Sequence, residues 1–327
     1  MRRFNRVIIQ EPPNTSDCSC LYSPEPIGVG TPFAESLSSY LTRLAEEHCV
    51  TSKKLIMGKI APLILGVQYQ PEMLSKNVSS IFGNSDAKPT INGMREKTRS
   101  LTLALEQLTL RQDLKYLSCL TYQGVIKERG LFRQQKAWCP KCFEKWNQES
   151  KALYEPLIWS FKDVDYCLEH DHILVNSCPH CGKKQKAIGN NSRIGYCESC
   201  KKPLFTHSGS EQIEIDDKER QIIEGIGSLI QVIHSLDRPP TLSELIKKLQ
   251  LIQFYFERSL RQDLIQLIRL GKILEQLKIV VIQHKDKPLN LVNLLIPVCS
   301  LANISIHQFI KEDIFTLSKI LNIKFII

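Results

Sequence analysis

A chain of 327 residues, 43% apolar and 24% charged, has room for two or three ordinary domains and a sizeable buried core. No apolar run approaches the roughly 18 residues a membrane span needs, and the opening MRRFNRVIIQEPPN turns polar before a signal-peptide core forms, so a soluble, cytoplasmic protein is expected. Most of the formal charge of +9 sits in residues 1–137, with 18 basic and 12 acidic side chains, against 10 and 8 over 138–210 and 15 and 14 over 211–327; the excess fits a nucleic-acid partner without requiring one.

Residues 1–32, with Pro12-Pro13, Cys18-x-Cys20, Pro24, Pro26, Gly28 and Gly30, have no period and read as an extended arm. A helical domain over 33–137 follows, opening on FAESLSSYLTRLAEEHCVTSKKLIMGKI. Leu37, Leu41, Leu44, Ala45 and His48 form one helical stripe, and the pattern resumes after Thr51 or Ser52 as a cap, with Leu55 and Ile56 buried. This is a helix-turn-helix pattern, with Ser52, Lys53 and Lys54 outward at the start of the second helix as candidate DNA contacts. A plain helical hairpin has the same periodicity. Residues 68–137 continue as short helices, with a polar loop at GNSDAKPTING followed by stripes at Leu101, Leu105, Leu108 and at Leu114, Leu117, Leu120.

The strongest signal lies in 138–207. Cys139-x2-Cys142, Cys167-x2-His170, Cys178-x2-Cys181 and Cys197-x2-Cys200 are four ligand pairs of equal spacing. Paired in sequence they give two tetrahedral quartets of the kind zinc prefers: Cys139, Cys142, Cys167 and His170, then Cys178, Cys181, Cys197 and Cys200. Disulfides are argued against by a reducing compartment, and scattered core cysteines would not repeat one spacing. His172 stands as the alternative imidazole to His170, and Glu169 and Asp171 as groups that could orient it. With four protein ligands each, both sites read as structural zinc in a tandem ribbon. Two Zn²⁺ with their thiolates would lower the formal charge from +9 to +6, leaving clusters such as Lys183, Lys184, Lys186 and Arg193 as the module's means of touching nucleic acid. Tyr154, Trp159 and Phe161 are expected to pack around the first ion.

After residue 207 the chain reads as a helical C-terminal domain, 208–327: GIGSLIQVIHSL, a stop at Pro239-Pro240, then TLSELIKKLQLIQFYF and SLRQDLIQLIRLGKILEQL. Aligned without gaps, 37–56 and 291–310 share apolar positions, among them Leu37/Leu291, Leu44/Val298, Val50/Ile304 and Ile56/Ile310, and the caps Thr51 and Ser305 coincide. A second helix-turn-helix is therefore expected, with His307, Gln308 and Lys311 outward. The fold class is mainly α.

Together, PFAESLSSYLTRLA from Pro32, WCPKC from Trp138, Trp159, CLEH from Cys167, CPHCG from Cys178 and CESC from Cys197 resemble the TniQ/TnsD family of target-selection proteins of cut-and-paste and CRISPR-associated transposons. The likeness covers 31–207, and it departs from the family pattern where Asp171 replaces the glycine usual after the ligand histidine. It implies a non-catalytic adaptor that marks double-stranded target DNA and engages a TnsC-like AAA+ ATPase. The marking is done by direct reading or by docking on a CRISPR effector complex, and a homo-oligomer is allowed for. The chain itself contains no G-x-x-x-x-G-K-[ST], G-x-G-x-x-G, G-x-S-x-G or H-E-x-x-H motif, so no catalytic residue or bound nucleotide is expected. A zinc-ribbon transcription factor without an ATPase partner is the alternative.

Overall fold

The computed structural model describes residues 19–76, 78, 81, 91–205, 215–259, 275, 277, 279 and 287–322. They are mainly helical, with one two-stranded antiparallel hairpin. Helix α1 (Leu37–Glu47) starts where the Ser36 hydroxyl accepts the Ser39 N–H at 3.2 Å, and it buries Leu37, Tyr40, Leu41, Leu44 and Ala45 along one stripe. Thr51 caps α2 (Ser52–Leu55), which passes through a π turn (Ile56–Ile60) into α3 (Ala61–Leu65). Helix α4 (Glu96–Thr109) adds Leu101, Leu105 and Leu108 to the same core. Leu114, Leu117 and Leu120 belong to two 3₁₀ turns, Leu114–Leu117 and Leu120–Tyr122, rather than to a helix; a three-residue spacing is the period of a 3₁₀ turn.

The described part of the arm is laid along this unit. Leu21 is buried in its core and donates its N–H to the Leu108 carbonyl (3.0 Å), while Arg43 reaches the Glu25 carbonyl (2.6 Å). Pro12, Pro13 and Cys18 lie outside the described residues, as do most of GNSDAKPTING and most of SLRQDLIQLIRLGKILEQL.

Helix α5 (Pro140–Gln148) and the hairpin β1 (Tyr166–Cys167) and β2 (His172–Ile173) carry the first ligand quartet. Helix α6 (Asp217–Ile233) is the axis of the C-terminal part, followed by α7 (Leu242–Ser259), a π turn (Leu291–Leu295), α8 (Ile296–Leu301), α9 (Ile306–Lys311) and α10 (Ile314–Ile320). Helices α8 and α9 pack on α6, and α8 comes so near that a Cβ on Gly225 would stand 2.8 Å from Cγ1 of Ile296.

The expected echo between 37–56 and 291–310 extends to the backbone. In both turns the residue three before the second helix has positive φ, Cys49 at 52° and Asn303 at 53°. The next N–H bonds back over the turn, Val50 to Ala45 and Ile304 to Cys299, each at 3.0 Å. Both second helices are then capped by a hydroxyl, Thr51 to the Lys54 N–H and Ser305 to the Gln308 N–H.

Buried side chains form two clusters. The smaller joins Leu21, α1 to α4 and the 3₁₀ turn at Leu114, with Ile188 from between the second-quartet ligands. The larger takes in Ala34 and Met94 and runs from Cys119 through the ligand region to Leu321. Among the described residues no helix is long and apolar enough to cross a membrane.

Candidate metal centres and their surroundings

The two quartets expected from spacing converge. Cys139, Cys142, Cys167 and His170 form one group and Cys178, Cys181, Cys197 and Cys200 the other, with ligand atoms within 4.8 Å of one another in each. In the first, Cys142 Sγ lies 3.6 Å from Cys167 Sγ, and His170 Nδ1 lies 3.3, 3.6 and 3.7 Å from the sulfurs of Cys142, Cys167 and Cys139. In the second, the Cys178–Cys200 and Cys181–Cys197 sulfurs are both 3.7 Å apart. A tetrahedral ion with Zn–S bonds of about 2.3 Å has edges of about 3.8 Å, whereas a disulfide closes to about 2.05 Å. Both groups therefore fit a metal ion and neither is a disulfide.

Local backbone chemistry explains the convergence. Pro140 at the first position of α5 leaves Cys139 just outside the helix and puts Cys142 on its first turn. The other three pairs are tight turns whose following residue takes positive φ: Asp171 at 44°, Gly182 at 68° and Lys201 at 62°. Asp171 thus adopts the conformation for which a glycine would be the easier residue, and its presence leaves the first quartet intact. The turns close through Gly182 N–H to Cys178 O (2.9 Å) and Lys201 N–H to Cys197 O (3.0 Å). Against the cost of burial, the N–H groups of Cys200 and Ser199 lower the pKa of the Cys197 thiol, while burial raises that of Cys178.

His170 is the imidazole at the first centre. His172, the alternative, lies in β2 with Nδ1 against the Ile173 carbonyl at 2.5 Å. The Asp171 carboxylate, expected to orient the ligand, instead faces Arg220 of α6 at 3.5 Å. The aromatic packing involves more of α5 than expected. Trp146 stacks on Tyr154 (4.5 Å) and on Trp159 (6.1 Å), and Phe143 meets Trp159 edge-on; Phe161 packs against Phe132. Phe143 and Trp146 follow Cys142 at i+1 and i+4.

The sequence PFAESLSSYLTR proves to be the weld between α1 and the first metal region. Glu35, fully buried, takes Arg43 in a two-pronged pair (3.1 and 2.8 Å) and the Ser39 hydroxyl (2.9 Å), and Ser39 Oγ accepts the Glu155 N–H (2.9 Å). Asn92 ties Ser38 to Ser160, and Lys136 pairs with Glu155 at 2.7 Å. Sequence reading passed over Glu35, Arg43 and Asn92; a fully buried charge is almost always paired, but no spacing in the sequence marks Glu35 as buried.

The second centre is welded to α2 and to the end of α1. Between its ligand pairs, the Asn190 carbonyl accepts the Lys53 N–H (3.0 Å), the Ser192 carbonyl accepts the Ser52 hydroxyl (3.2 Å), and the Ile194 N–H donates to Glu46 (2.7 Å). This corrects the outward placement of Ser52, which is fully buried under that loop. Lys53 is half-buried and Lys54 exposed. Of the three residues expected outward in the C-terminal unit, Lys311 alone is fully exposed: His307 is half-buried, and Gln308 is engaged in a capping box, its Oε1 accepting the Ser305 N–H (2.9 Å).

No curated protein matches the chain. Residues 26–174 match the TniQ family model, a span that holds α1, the buried Glu35 network and the whole first quartet. Over that span the chain is similar to the TniQ family, which points to a transposition-associated adaptor family.

Proposed function

We propose that this protein is a non-catalytic target-selection adaptor of a TnsABC-like transposition system. It marks target DNA by direct recognition, holds two structural zinc ions and recruits a TnsC-like AAA+ ATPase. The TniQ domain over 26–174 carries the reading. The donor sets support the metal assignment, because three thiolates with an imidazole and four thiolates are both zinc chemistry. Four protein ligands per ion leave no coordination position for a substrate water, so the ions supply folding energy and not catalysis.

Direct reading is favoured over docking on a CRISPR effector by the repeated turn. A second unit with the backbone bonds of the first, in a C-terminal part that follows the TniQ domain, has an evident use on a longer DNA site. Among the candidate contacts Lys53, Lys54, His307 and Lys311 remain, while Ser52 and Gln308 are committed within the fold.

A footprint across the natural insertion site of the parent element, with the isolated chain and then with its ATPase, tests this. Protection by the chain alone, followed by ATPase loading that depends on the chain, is the expected outcome. No protection at ~100 mM salt with stable binding to a CRISPR effector would replace direct marking by guided marking. Protection without any ATPase loading would favour the transcription-factor alternative.

A further inference from the structure

The two metal centres differ in electrostatic surroundings. The segment 139–173, with the first, carries seven carboxylates and four lysines; the segment 178–202, with the second, carries Lys183, Lys184, Lys186, Arg193, Lys201 and Lys202 and one carboxylate, Glu198, while Glu46 approaches it at Ile194 and Glu155 lies near Lys186 and Arg193. All six of those basic side chains are exposed, and none forms an ion pair with a carboxylate among the described residues. Each ligand turn of the second centre ends on two lysines, and the turns are bonded alike: Lys183 O accepts the Cys178 N–H (3.0 Å) and Lys202 O the Cys197 N–H (2.9 Å). The two turns bring their four sulfurs within 4.8 Å of one another, so all four lysines follow ligands of one candidate centre.

A tetrathiolate zinc carries −2, which with Glu198 still leaves a surplus of three positive charges on this segment. The lysines exceed what the centre needs for its own neutralisation. The Asn190 carbonyl between the ligand pairs binds the Lys53 N–H, so the start of α2, with exposed Lys54, adjoins the same surface. Such a surface is anchored by a metal, is poor in carboxylates and presents point-charge ammonium groups without a fixed fork. Its chemistry suits a regular array of phosphates.

We propose that the lysine collar of the second metal centre is the docking surface for the phosphate backbone of duplex DNA, binding without regard to base sequence and holding the target in register for the rest of the chain. This rests on the adaptor reading above, in which the protein meets target DNA.

The test uses the full-length, zinc-loaded protein and a fluorescent random-sequence duplex of about 30 base pairs, titrated by anisotropy between about 50 and 200 mM KCl. The variant K183Q/K184Q/K201Q/K202Q should keep its zinc and lose affinity alike for all sequences, and the slope of log K against log salt should flatten by up to about 3 to 4. K141Q/K145Q, beside the first centre, should leave the slope unchanged. An unchanged slope in the fourfold variant, with wild-type protein binding duplex, overturns the collar while the adaptor reading survives. Wild-type protein that binds no duplex overturns both. Loss of zinc at constant slope would make the lysines counter-charges of the metal, and tighter, lysine-dependent binding to single-stranded RNA of equal length would assign the surface to RNA.

Discussion

The two quartets are built from the same ligand spacing and put to different structural uses. The first is wrapped by Phe143, Trp146, Trp159 and Tyr154 and belongs to the large core that continues through α6 into the C-terminal helices. The second also buries Cys178 and Cys197 in that core, but it has an exposed ligand, Cys181, and alone of the two reaches across to the small core, through Ile188 and a polar loop bonded to α2 and the end of α1. Closing the metal quartet is a local matter, settled within a few residues of each pair. What the closed centre then holds in place depends on the segment between the pairs. In the first it carries aromatic residues, in the second a polar loop.

The sharpest break in this comparison comes from removing a ligand. Cys142→Ser should lose one ion and the packing of α5, and with it most cooperative unfolding of the larger core, since structural zinc in small modules contributes ~10 to 16 kcal/mol. Cys197→Ser should also lose one ion, but by hydrogen exchange its damage should centre on 52–60 and spare α6. Metal analysis and exchange mapping of the two variants check both statements, and equal exposure of α6 in each would remove the distinction.

Next in size is Glu35→Ala. It leaves the Arg43 guanidinium, whose side chain is only 11% exposed, without its carboxylate, a loss of ~3 to 5 kcal/mol for a buried pair. Thermal or denaturant unfolding measures it, and a change below ~1 kcal/mol would mean that the weld between α1 and the first metal region is not what holds them together.

Lys248 sharpens the picture of the C-terminal part. Its buried ammonium donates to the carbonyls of Phe309 and Ile310, both at 2.9 Å, at the end of α9, and burial lowers its pKa against the pull of Glu244. Lys248→Met should cost ~1 to 3 kcal/mol by leaving those carbonyls without a donor. With a folded pKa below the unfolded one, the wild type gains stability as pH rises from the folded value towards the ordinary lysine range near ~10.4. The deficit of the variant should therefore widen over that interval, as parallel melts would show. A constant deficit would contradict the lowered pKa.

The smallest effects should fall on the two caps. Thr51→Ala and Ser305→Ala should each cost about 1 kcal/mol, because each removes one hydroxyl acceptor for an N–H of the first turn, while the backbone bond from Ser305 N–H to Gln308 Oε1 survives. A cost well below ~0.5 kcal/mol for either variant in unfolding measurements would contradict its assignment as a cap.

The parts of this architecture that were legible in the sequence are those set by local covalent geometry. Ligand pairs two residues apart announce a metal turn, and the apolar register shared by 37–56 and 291–310 announces a likeness that recurs in the backbone bonds of both turns. Illegible were the contacts between distant segments. Helix periodicity told which face of α2 is apolar, but not that a loop 140 residues away covers Ser52. The cap at Ser305 was readable, whereas the return bond that occupies Gln308 depends on a side-chain rotamer. The π turns at Ile56–Ile60 and Leu291–Leu295 have no local marker that periodicity analysis could use.

The weld to the core, the pin on α2 and the absence of an open catalytic position all require two closed, four-coordinate ions. Zinc-edge X-ray absorption of the intact protein tests this most directly. The account predicts two zinc ions per chain with an average first shell of about 3.5 sulfurs at ~2.3 Å and half a nitrogen at ~2.0 to 2.1 Å. A first shell containing water oxygen, or fewer than two zinc ions per chain in the same sample, would contradict it.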